Sequence, residues 1–192
     1  MRMDKPIKKY YTLGCCGIDC GLCPRYYTEG ESRCPGCFGE NFAQKHPPCS
    51  TANCCVKNNN LEACGQCNNF PCKKYDGEKV LKDSFVTHKK MMENQKSIQK
   101  YGIEKYMEKQ NIRINILEKI LSEYNDGKSK NYFCIAVALL DIKYLNASIK
   151  KAENKIKKEN IMENDLKNKA NILKNILSEY AEKNSIEIKL QK

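Results

Sequence analysis

The sequence of 192 residues lacks the features of several common protein classes. No apolar run approaches the ~20 residues that a membrane-spanning helix needs, and the N-terminus, "MRMDKPIKKYYTLG", has no apolar stretch of signal-peptide length. An H-E-x-x-H helix, a Gly-rich phosphate loop and an aligned Ser/His/Asp set are also missing. The sequence therefore predicts a cytoplasmic protein with no membrane association, and it favours a protein that is not an enzyme.

Proline and cysteine are almost absent from the second part of the chain. All six prolines lie at or before Pro71, and twelve of the thirteen cysteines lie between Cys15 and Cys72, with Cys134 the exception. Because proline interrupts helices, the first part cannot be one helical segment, whereas the rest is proline-free and rich in Lys, Glu, Ile, Leu and Asn. We predict a small, irregular, zinc-knuckle or ribbon-like cysteine-rich module over residues 1–75, stapled by metal and followed by a mainly α-helical bundle over 76–192.

The positive charge is unevenly distributed. The formal net charge is +11, of which residues 1–72 contribute only +2. Metal-bound thiolates would make that part more negative, so it does not resemble a basic finger that binds phosphates. The lysines of the helical part are expected on solvated faces, and nucleic-acid binding through them is the less favoured alternative.

The cysteine-rich part contains three C-x2-C pairs: "CGLC" at 20–23, "CPGC" at 34–37 and "CGQC" at 64–67. Two such knuckles can place four sulfurs at ~2.3 Å from one tetrahedral ion. In a reducing cytosol, closely spaced cysteines favour metal binding or redox chemistry over disulfides, and the odd total favours the same interpretation. A segment this short buries too little apolar surface to fold alone, and a structural zinc contributes roughly 10–16 kcal/mol of apparent binding free energy.

The spacing predicts two zinc sites, although twelve cysteines would also supply three. One pairing uses Cys20, Cys23, Cys34 and Cys37 for the first site and draws the second from Cys49, Cys55, Cys64, Cys67 and Cys72. Interleaved pairings, in which Cys16 joins one site, also fit. His46 in "KHPPC" could replace a sulfur, although an exposed loop position is favoured for it. The predicted metal ligands are Cys16, Cys20, Cys23, Cys34, Cys37, Cys49, Cys55, Cys64, Cys67 and Cys72.

Iron–sulfur chemistry is the main alternative to zinc. Cys16, Cys20 and Cys23 have the C-x3-C-x2-C spacing of radical S-adenosylmethionine enzymes, but those enzymes surround the cluster with a barrel of roughly 200 residues. The chain after Cys23 shows no alternation of strands and helices. An ordinary cluster with four cysteinate ligands stays open, and the absence of the ferredoxin run C-x2-C-x2-C-x3-C-P favours zinc.

Together, "CGIDCGLCPRY", "CPGC", "CC" and "CGQCNNFPCKKY" resemble the bacterial and archaeal cysteine-rich family catalogued as domain of unknown function 3795. The likeness extends into "YGIEKYMEKQ" (101–110) and "DGKSKNYFCIAVALL" (126–140). The resemblance implies metal binding by the cysteines and no established activity. Cys15 and Cys54 lie outside the family pattern, and the register of Cys49 within it is uncertain.

The helical part is predicted to begin at Asp76-Gly77, with Gly102 separating two helices. The apolar stretch "YFCIAVALL" (132–140) predicts the central helix, on which Cys134 is interpreted as a core residue rather than a reactive thiol. His88 is expected on the surface of the first helix. The terminal "IEIKLQ" alternates like a short strand.

These observations give two hypotheses of different classes. The first is a cytosolic zinc-binding protein without catalytic activity, which acts as an interaction or adaptor unit for an unidentified protein partner. The second is an iron–sulfur protein that acts in electron transfer or redox catalysis.

Overall fold

A computed structural model describes residues 8–75 and 82–191. Over these residues the chain is mainly helical and contains no strand. The predicted helical part is therefore present, whereas the cysteine-rich part is irregular and contains no β-ribbon in the described region. The helices are α1 (Phe42–Lys45), α2 (Ser50–Ala52), α3 (Met91–Tyr101), α4 (Ile103–Tyr124), α5 (Lys130–Leu139), α6 (Ile142–Lys158) and α7 (Leu166–Lys183).

The chain divides into two compact units, and the division falls within α4. The first unit comprises Met1–Gln110 with Leu190–Lys192, and the second comprises Asn111–Lys189. The division thus comes later in the chain than the composition change near residue 75. The predicted helix start at Asp76-Gly77 lies outside the described residues.

Cysteine side chains form much of the interior of the cysteine-rich part. One buried cluster combines Cys15, Cys37 and Cys55 with Phe38, Ala52 and Val56. A second cluster packs Leu13 and Ala63 against Ile98 of α3 and against Ile103, Tyr106 and Met107 of α4. This second cluster explains why α3 and the start of α4 belong to the same compact unit as the cysteines.

The segment before α3 is not helical, because Asp83 fixes it in another conformation. The Asp83 carboxylate accepts hydrogen bonds from the backbone N–H of His88 at 2.6 Å and from that of Gln191 at 2.7 Å. The expectation for His88 is therefore wrong: this residue precedes α3, and its half-buried ring lies 3.1 Å from the same carboxylate. The predicted break at Gly102 is confirmed, since this glycine has a φ of +85° between α3 and α4.

The predicted strand at "IEIKLQ" is also wrong. The Ile186 N–H donates to the Ala181 carbonyl at 2.9 Å and so continues the end of α7. Gln191 exchanges two hydrogen bonds with Asp83, one of them through the Asp83 side chain, so no ladder forms. Alternating side chains do not make a strand when the backbone has no extended partner.

In the second unit, α5 is buried along most of its length, as predicted from its apolar sequence. Every residue from Phe133 to Leu140 is buried, and Cys134 is only 1% exposed. α5 and α6 both pack against α7. The Arg113 guanidinium donates to the Leu140 carbonyl at 2.6 Å and so satisfies a carbonyl at the end of α5. None of the described helices is long and apolar enough to cross a membrane.

Candidate metal centre

The twelve clustered cysteines line two separate cavities in the first unit. The larger cavity has a volume of about 400 Å³ and the smaller one of about 40 Å³. The larger cavity is lined by Cys15, Cys16, Cys20, Cys23, Cys34, Cys37 and Cys49. The smaller is lined by Cys54, Cys55, Cys64, Cys67 and Cys72. Sulfur atoms that are distant in sequence are thus gathered into two groups, called here the larger and the smaller thiol group.

This grouping follows the sequence-based pairing except at one residue. The first predicted set, residues 20, 23, 34 and 37, lies in the larger thiol group, and Cys16 joins it. Of the second predicted set, residues 55, 64, 67 and 72 lie in the smaller group. Cys49 was assigned to the second set but lines the larger cavity instead. It directly precedes α2, whose residue Ala52 lines the same cavity.

Two of the three C-x2-C pairs form a tight turn. The Cys23 N–H donates to the Cys20 carbonyl at 3.1 Å, and the Cys67 N–H donates to the Cys64 carbonyl at 2.9 Å. Each pair therefore closes one turn of 3₁₀ helix, which brings its two side chains to the same side. "CPGC" differs, because the Cys37 N–H donates to the Tyr11 carbonyl at 2.8 Å.

Cysteines from distant parts of the chain lie close together, and none of the thirteen cysteines forms a disulfide. The Cys37 thiol donates to Cys15 Sγ across 3.6 Å. The Cys55 thiol donates to the Leu61 carbonyl at 3.3 Å, and Cys55 lies in the same buried cluster as Cys15 and Cys37. Two sulfurs bound to one tetrahedral ion at ~2.3 Å would be about 3.8 Å apart, so the contact between Cys15 and Cys37 has the separation of two zinc ligands.

The thiols therefore suit a metal ion by their donor chemistry, and the separation of the Cys15 and Cys37 sulfurs suits two ligands of one ion. Among residues 8–75 and 82–191, however, no three His, Cys, Asp or Glu side chains surround a single point as ligands. The thiols would have to converge further to complete a tetrahedron. The donor set fits zinc by its chemistry, and the cavities show which cysteines line the same space.

Burial raises the pKa of several of these thiols. Burial raises the pKa of Cys16 to about 11 and raises the pKa of Cys20 well above its ordinary value. A hydrogen bond with Cys37 lowers the pKa of Cys15, but the hydrogen bond with Cys55 and burial raise it to about 12. Cys64 differs, since its hydrogen bond with Cys55 lowers its pKa. A cation that displaces these protons would therefore release them on binding.

Tyr75 offers an independent test of the fit. Its hydroxyl is buried and has no hydrogen-bond partner in the described part of the chain. Burial raises the pKa of Tyr75, and the neighbouring Cys64 side chain raises it as well. A thiolate at Cys64 would accept a hydrogen bond from the Tyr75 hydroxyl. Cys64 would be a thiolate when bound to a metal, so the buried hydroxyl agrees with a metal-bound Cys64.

Helix α3 holds the two thiol groups against each other through Gln95, a residue that the sequence analysis missed. This side chain is fully buried. Its Nε2 donates to the Cys15 carbonyl at 2.7 Å, and its Oε1 accepts from the Gly65 N–H at 2.5 Å. Gln95 therefore joins the "CCG" loop to the "CGQC" turn. A fully buried glutamine on an amphipathic helix has no signature in a single sequence.

The aspartate of "CGIDC" is held in the same way. Asp19 is buried, and its carboxylate accepts from the Tyr106 hydroxyl at 2.7 Å and from Asn94 Nδ2 at 3.1 Å. The same Asn94 amide donates to the Gly17 carbonyl at 2.9 Å. Asp19 therefore positions the loop between Cys16 and Cys20 on α3 and α4.

Two glycines permit this close approach. A Cβ at Gly65 would lie 2.5 Å from the Gln95 carbonyl oxygen. A Cβ at Gly17, whose φ is +95°, would lie 2.6 Å from the Met91 carbonyl oxygen. Only residues without a side chain allow the cysteine loops to contact the α3 backbone.

The remaining candidate residues are His46, Cys54 and Cys134. His46 lines the larger cavity, and its exposed ring stacks on Phe42 with centroids 4.7 Å apart. The Cys54 sulfur accepts from Asn59 Nδ2 at 3.7 Å. Cys134 is buried on α5 in the second unit and belongs to neither thiol group.

Comparison with known proteins finds a family model that matches the cysteine-rich segment. No curated protein matches the chain, and no solved structure matches it. The family model described as "Protein of unknown function (DUF3795)" matches residues 12–77, which contain all twelve clustered cysteines. The match does not include residues 101–110 or 126–140, where the extended likeness stays a prediction. The resemblance inferred from the cysteine motifs is thus confirmed over residues 12–77, which match the model of the DUF3795 family of proteins of unknown function.

Proposed function

We propose that this protein is a zinc-binding protein in which cysteinates of the larger and smaller thiol groups hold the metal. The observation that carries the proposal is the gathering of twelve cysteines, distant in sequence, around two cavities of one compact unit. The metal would stabilise the fold, because its ligands occupy the positions of a hydrophobic core. When each zinc is held by four cysteinates, no coordination position is open to a substrate, which supports a role other than catalysis.

We further propose that the helical unit provides an interaction surface for a protein partner. A groove in the second unit is lined by Ile112 and Ile116 of α4 and by Ile149 of α6. Ile112 is 47% exposed, and Lys119 and Glu153 form an ion pair of 2.8 Å beside it. Exposed apolar side chains bordered by charged ones are typical of surfaces that bind other proteins.

Metal analysis of anaerobically purified protein tests the proposal. We expect a colourless protein that contains at least two equivalents of zinc, and we expect proton release on reloading with zinc after chelation. The Cys67→Ser variant should lose metal, whereas Cys134→Ala, a matched removal of one thiol outside both groups, should retain it. A wild-type protein that is folded and contains no metal would contradict the proposal.

An iron–sulfur protein is the second candidate, and the size of the larger cavity favours it. The smaller cavity, of about 40 Å³, has room for one ion, whereas about 400 Å³ lined by seven cysteines could contain a group of several atoms. Iron–sulfur clusters use the same cysteinate ligands as zinc. A brown protein that contains iron and acid-labile sulfide in equal amounts would establish this candidate and exclude the all-zinc form.

A further inference from the structure

We propose that Cys15, which lies outside the family motif, is a bridging metal ligand that joins the larger and smaller thiol groups into one polynuclear thiolate cluster, with Lys8 as its counter-cation. This inference rests on the proposed function, because it presupposes that the cysteines bind metal. It differs from the two separate zinc sites expected from the spacing.

The position of Cys15 between the two groups is the first step. Its side chain is 1% exposed and lines the larger cavity, where its sulfur lies 3.6 Å from that of Cys37. Cys55, which lines the smaller cavity, belongs to the same buried cluster as Cys15 and Cys37, and Cys64 packs against that cluster. Cys37, Cys15, Cys55 and Cys64 therefore form a buried series of cysteines that passes from one group to the other.

The backbone keeps this series in place. The Cys64 N–H donates to the Cys15 carbonyl at 2.9 Å, and the same carbonyl accepts from Gln95 Nε2 at 2.7 Å. Cys15 and Cys64 therefore cannot separate without losing a buried hydrogen bond. These hydrogen bonds hold Cys15 of the larger group beside Cys64 of the smaller group.

A buried lysine faces this series of cysteines. Lys8 is only 3% exposed, and its Nζ donates to the Leu13 carbonyl at 2.6 Å and to Cys15 Sγ at 3.7 Å. In the described part of the chain, no carboxylate forms an ion pair with Lys8. Glu62 is nearby, but its two oxygens accept from the backbone N–H groups of Lys9 and Tyr10, both at 2.9 Å.

A buried ammonium is costly unless an anion neutralises it. Cysteinates bound to divalent zinc supply such an anion, because a zinc ion with four cysteinate ligands has a net charge of about −2. Sharing a thiolate between two ions lowers the number of negative charges per metal, and Lys8 offsets part of the remainder. The burial of Lys8 beside Cys15 and the position of Cys15 between two thiol groups thus have a single explanation.

Cadmium nuclear magnetic resonance on the whole wild-type chain tests the bridge. Cadmium-113 replaces zinc in thiolate sites, and two cadmium nuclei that share one bridging sulfur show scalar coupling to each other. We expect at least two cadmium resonances with such coupling. Wild-type protein that binds two or more equivalents of cadmium without coupling would overturn the bridge and leave the proposed function intact, whereas a protein that binds neither zinc nor cadmium would overturn both.

Variants identify the bridging residue and the counter-cation. Cys15→Ser should abolish the coupling and lose at least one equivalent of cadmium, whereas Cys134→Ala, which removes a thiol outside both thiol groups, should retain both. Lys8→Met should keep the stoichiometry but release metal at a chelator concentration at least tenfold lower, and Lys8→Arg should restore part of this resistance. Retention of coupling in Cys15→Ser would overturn the assignment of Cys15. If this variant does not fold, cadmium–proton correlation spectra of the wild-type chain decide the assignment, because the Cβ protons of a bridging Cys15 couple to two cadmium nuclei and those of a terminal ligand couple to one.

Discussion

At the scale of single residues, the cysteine-rich segment depends on polar side chains from outside it. Asp19 belongs to the "CGIDC" motif but accepts its hydrogen bonds from Asn94 and Tyr106, which lie on α3 and α4. Gln95 connects the backbone of Cys15 with that of Gly65. These contacts are buried, so each of them contributes to the stability of the cysteine loops and to their relative positions.

The first prediction concerns Gln95. Gln95→Ala would leave the Cys15 carbonyl without one partner and the Gly65 N–H without its side-chain partner, and each buried group left unpaired costs about 1–3 kcal/mol. We expect a lower free energy of unfolding in urea and easier removal of metal by a chelator. Gln99→Ala is the matched control, because Gln99 lies on the same helix and is exposed. Equal stability of the two variants would contradict the role assigned to Gln95.

The second prediction concerns Asp83 and pH. Burial raises the pKa of Asp83, but hydrogen bonds from the backbone N–H groups of Gln191 and His88 and from the His88 ring lower it further than burial raises it. The folded-state pKa is thus depressed, so the stabilisation is complete above the unfolded-state pKa of about 3.9 and is lost as the pH falls through the folded-state value.

The amide resonance of Gln191 reports this titration directly, because its N–H donates to the carboxylate. We expect its chemical shift to change with a midpoint below about 3.9. The change should be absent in Asp83→Asn. A midpoint at or above the ordinary carboxyl pKa would show that the hydrogen bonds do not stabilise the carboxylate.

At the scale of elements, the C-x2-C turns and α3 form one packed arrangement. The "CGQC" turn lies on α3 so closely that Gly65 has no room for a side chain. In the second unit, α5 is stabilised differently, by a continuous run of buried apolar side chains. Mutations in the turn should therefore weaken metal retention, whereas mutation of Cys134 on α5 should lower only the stability.

The third prediction tests the contact of the turn with α3. Gly65→Ala would place a Cβ 2.5 Å from the Gln95 carbonyl oxygen, and overpacking of this kind costs about 1–3 kcal/mol. We expect lower thermal stability together with weaker metal retention in a chelator competition. Gly30→Ala should also lose stability, by about 1–2 kcal/mol, because an alanine there must adopt a φ of +72°, but it meets no atom within 4 Å and should retain metal. Equal metal retention in the two variants would argue against the role of the turn.

The fourth prediction concerns Cys134 on α5. Because this side chain is buried among apolar neighbours, Cys134→Ala should lower the free energy of unfolding by only about 1 kcal/mol, the value of one small buried group. Metal content should stay unchanged, as measured by elemental analysis. Loss of one metal equivalent would show that Cys134 is a ligand.

At the scale of the whole molecule, the two compact units have different kinds of interior. Cysteines form much of the core of the cysteine-rich segment, whereas α5, α6 and α7 bury aliphatic and aromatic side chains. Lysines of the helical unit pair with glutamates, for example Lys119 with Glu153 at 2.8 Å and Lys151 with Glu179 at 3.3 Å. Nucleic-acid binding through these helices stays a prediction, and affinity that falls steeply with salt would support it.

The fifth prediction follows from this difference between the interiors. When a strong chelator removes the metal from the whole chain, residues 8–75 should lose protection from amide hydrogen exchange, because the ions stabilise that fold. Residues 111–189 should keep their protection, since an apolar core requires no ion. Unchanged protection of residues 8–75 after complete metal removal would contradict the view that metal takes the place of a core.

The sequence was sufficient for those features that depend on residue type and local spacing. Cysteine spacing identified the matching family, and apolar content identified α5 as a buried helix. The sequence-based predictions were wrong where hydrogen-bond partners of the backbone decide the structure. Examples are "IEIKLQ", which has no strand beside it, and His88, which Asp83 holds outside the helix. Periodicity describes side chains, and it contains no information on which distant group will bond to the backbone.

The sequence by itself determined that the chain has a cysteine-rich part and a helical part, because composition and short-range spacing fix turns, helices and donor chemistry. Tertiary structure alone decided that Cys49 joins the larger thiol group and that Cys15 lies between the two groups. It also decided that Gln95 and Lys8 donate hydrogen bonds to Cys15. The physical reason is that these relations depend on contacts between residues far apart in the chain, such as Gln95 and Cys15. Such contacts form only when buried hydrogen bonds and close packing bring distant segments together.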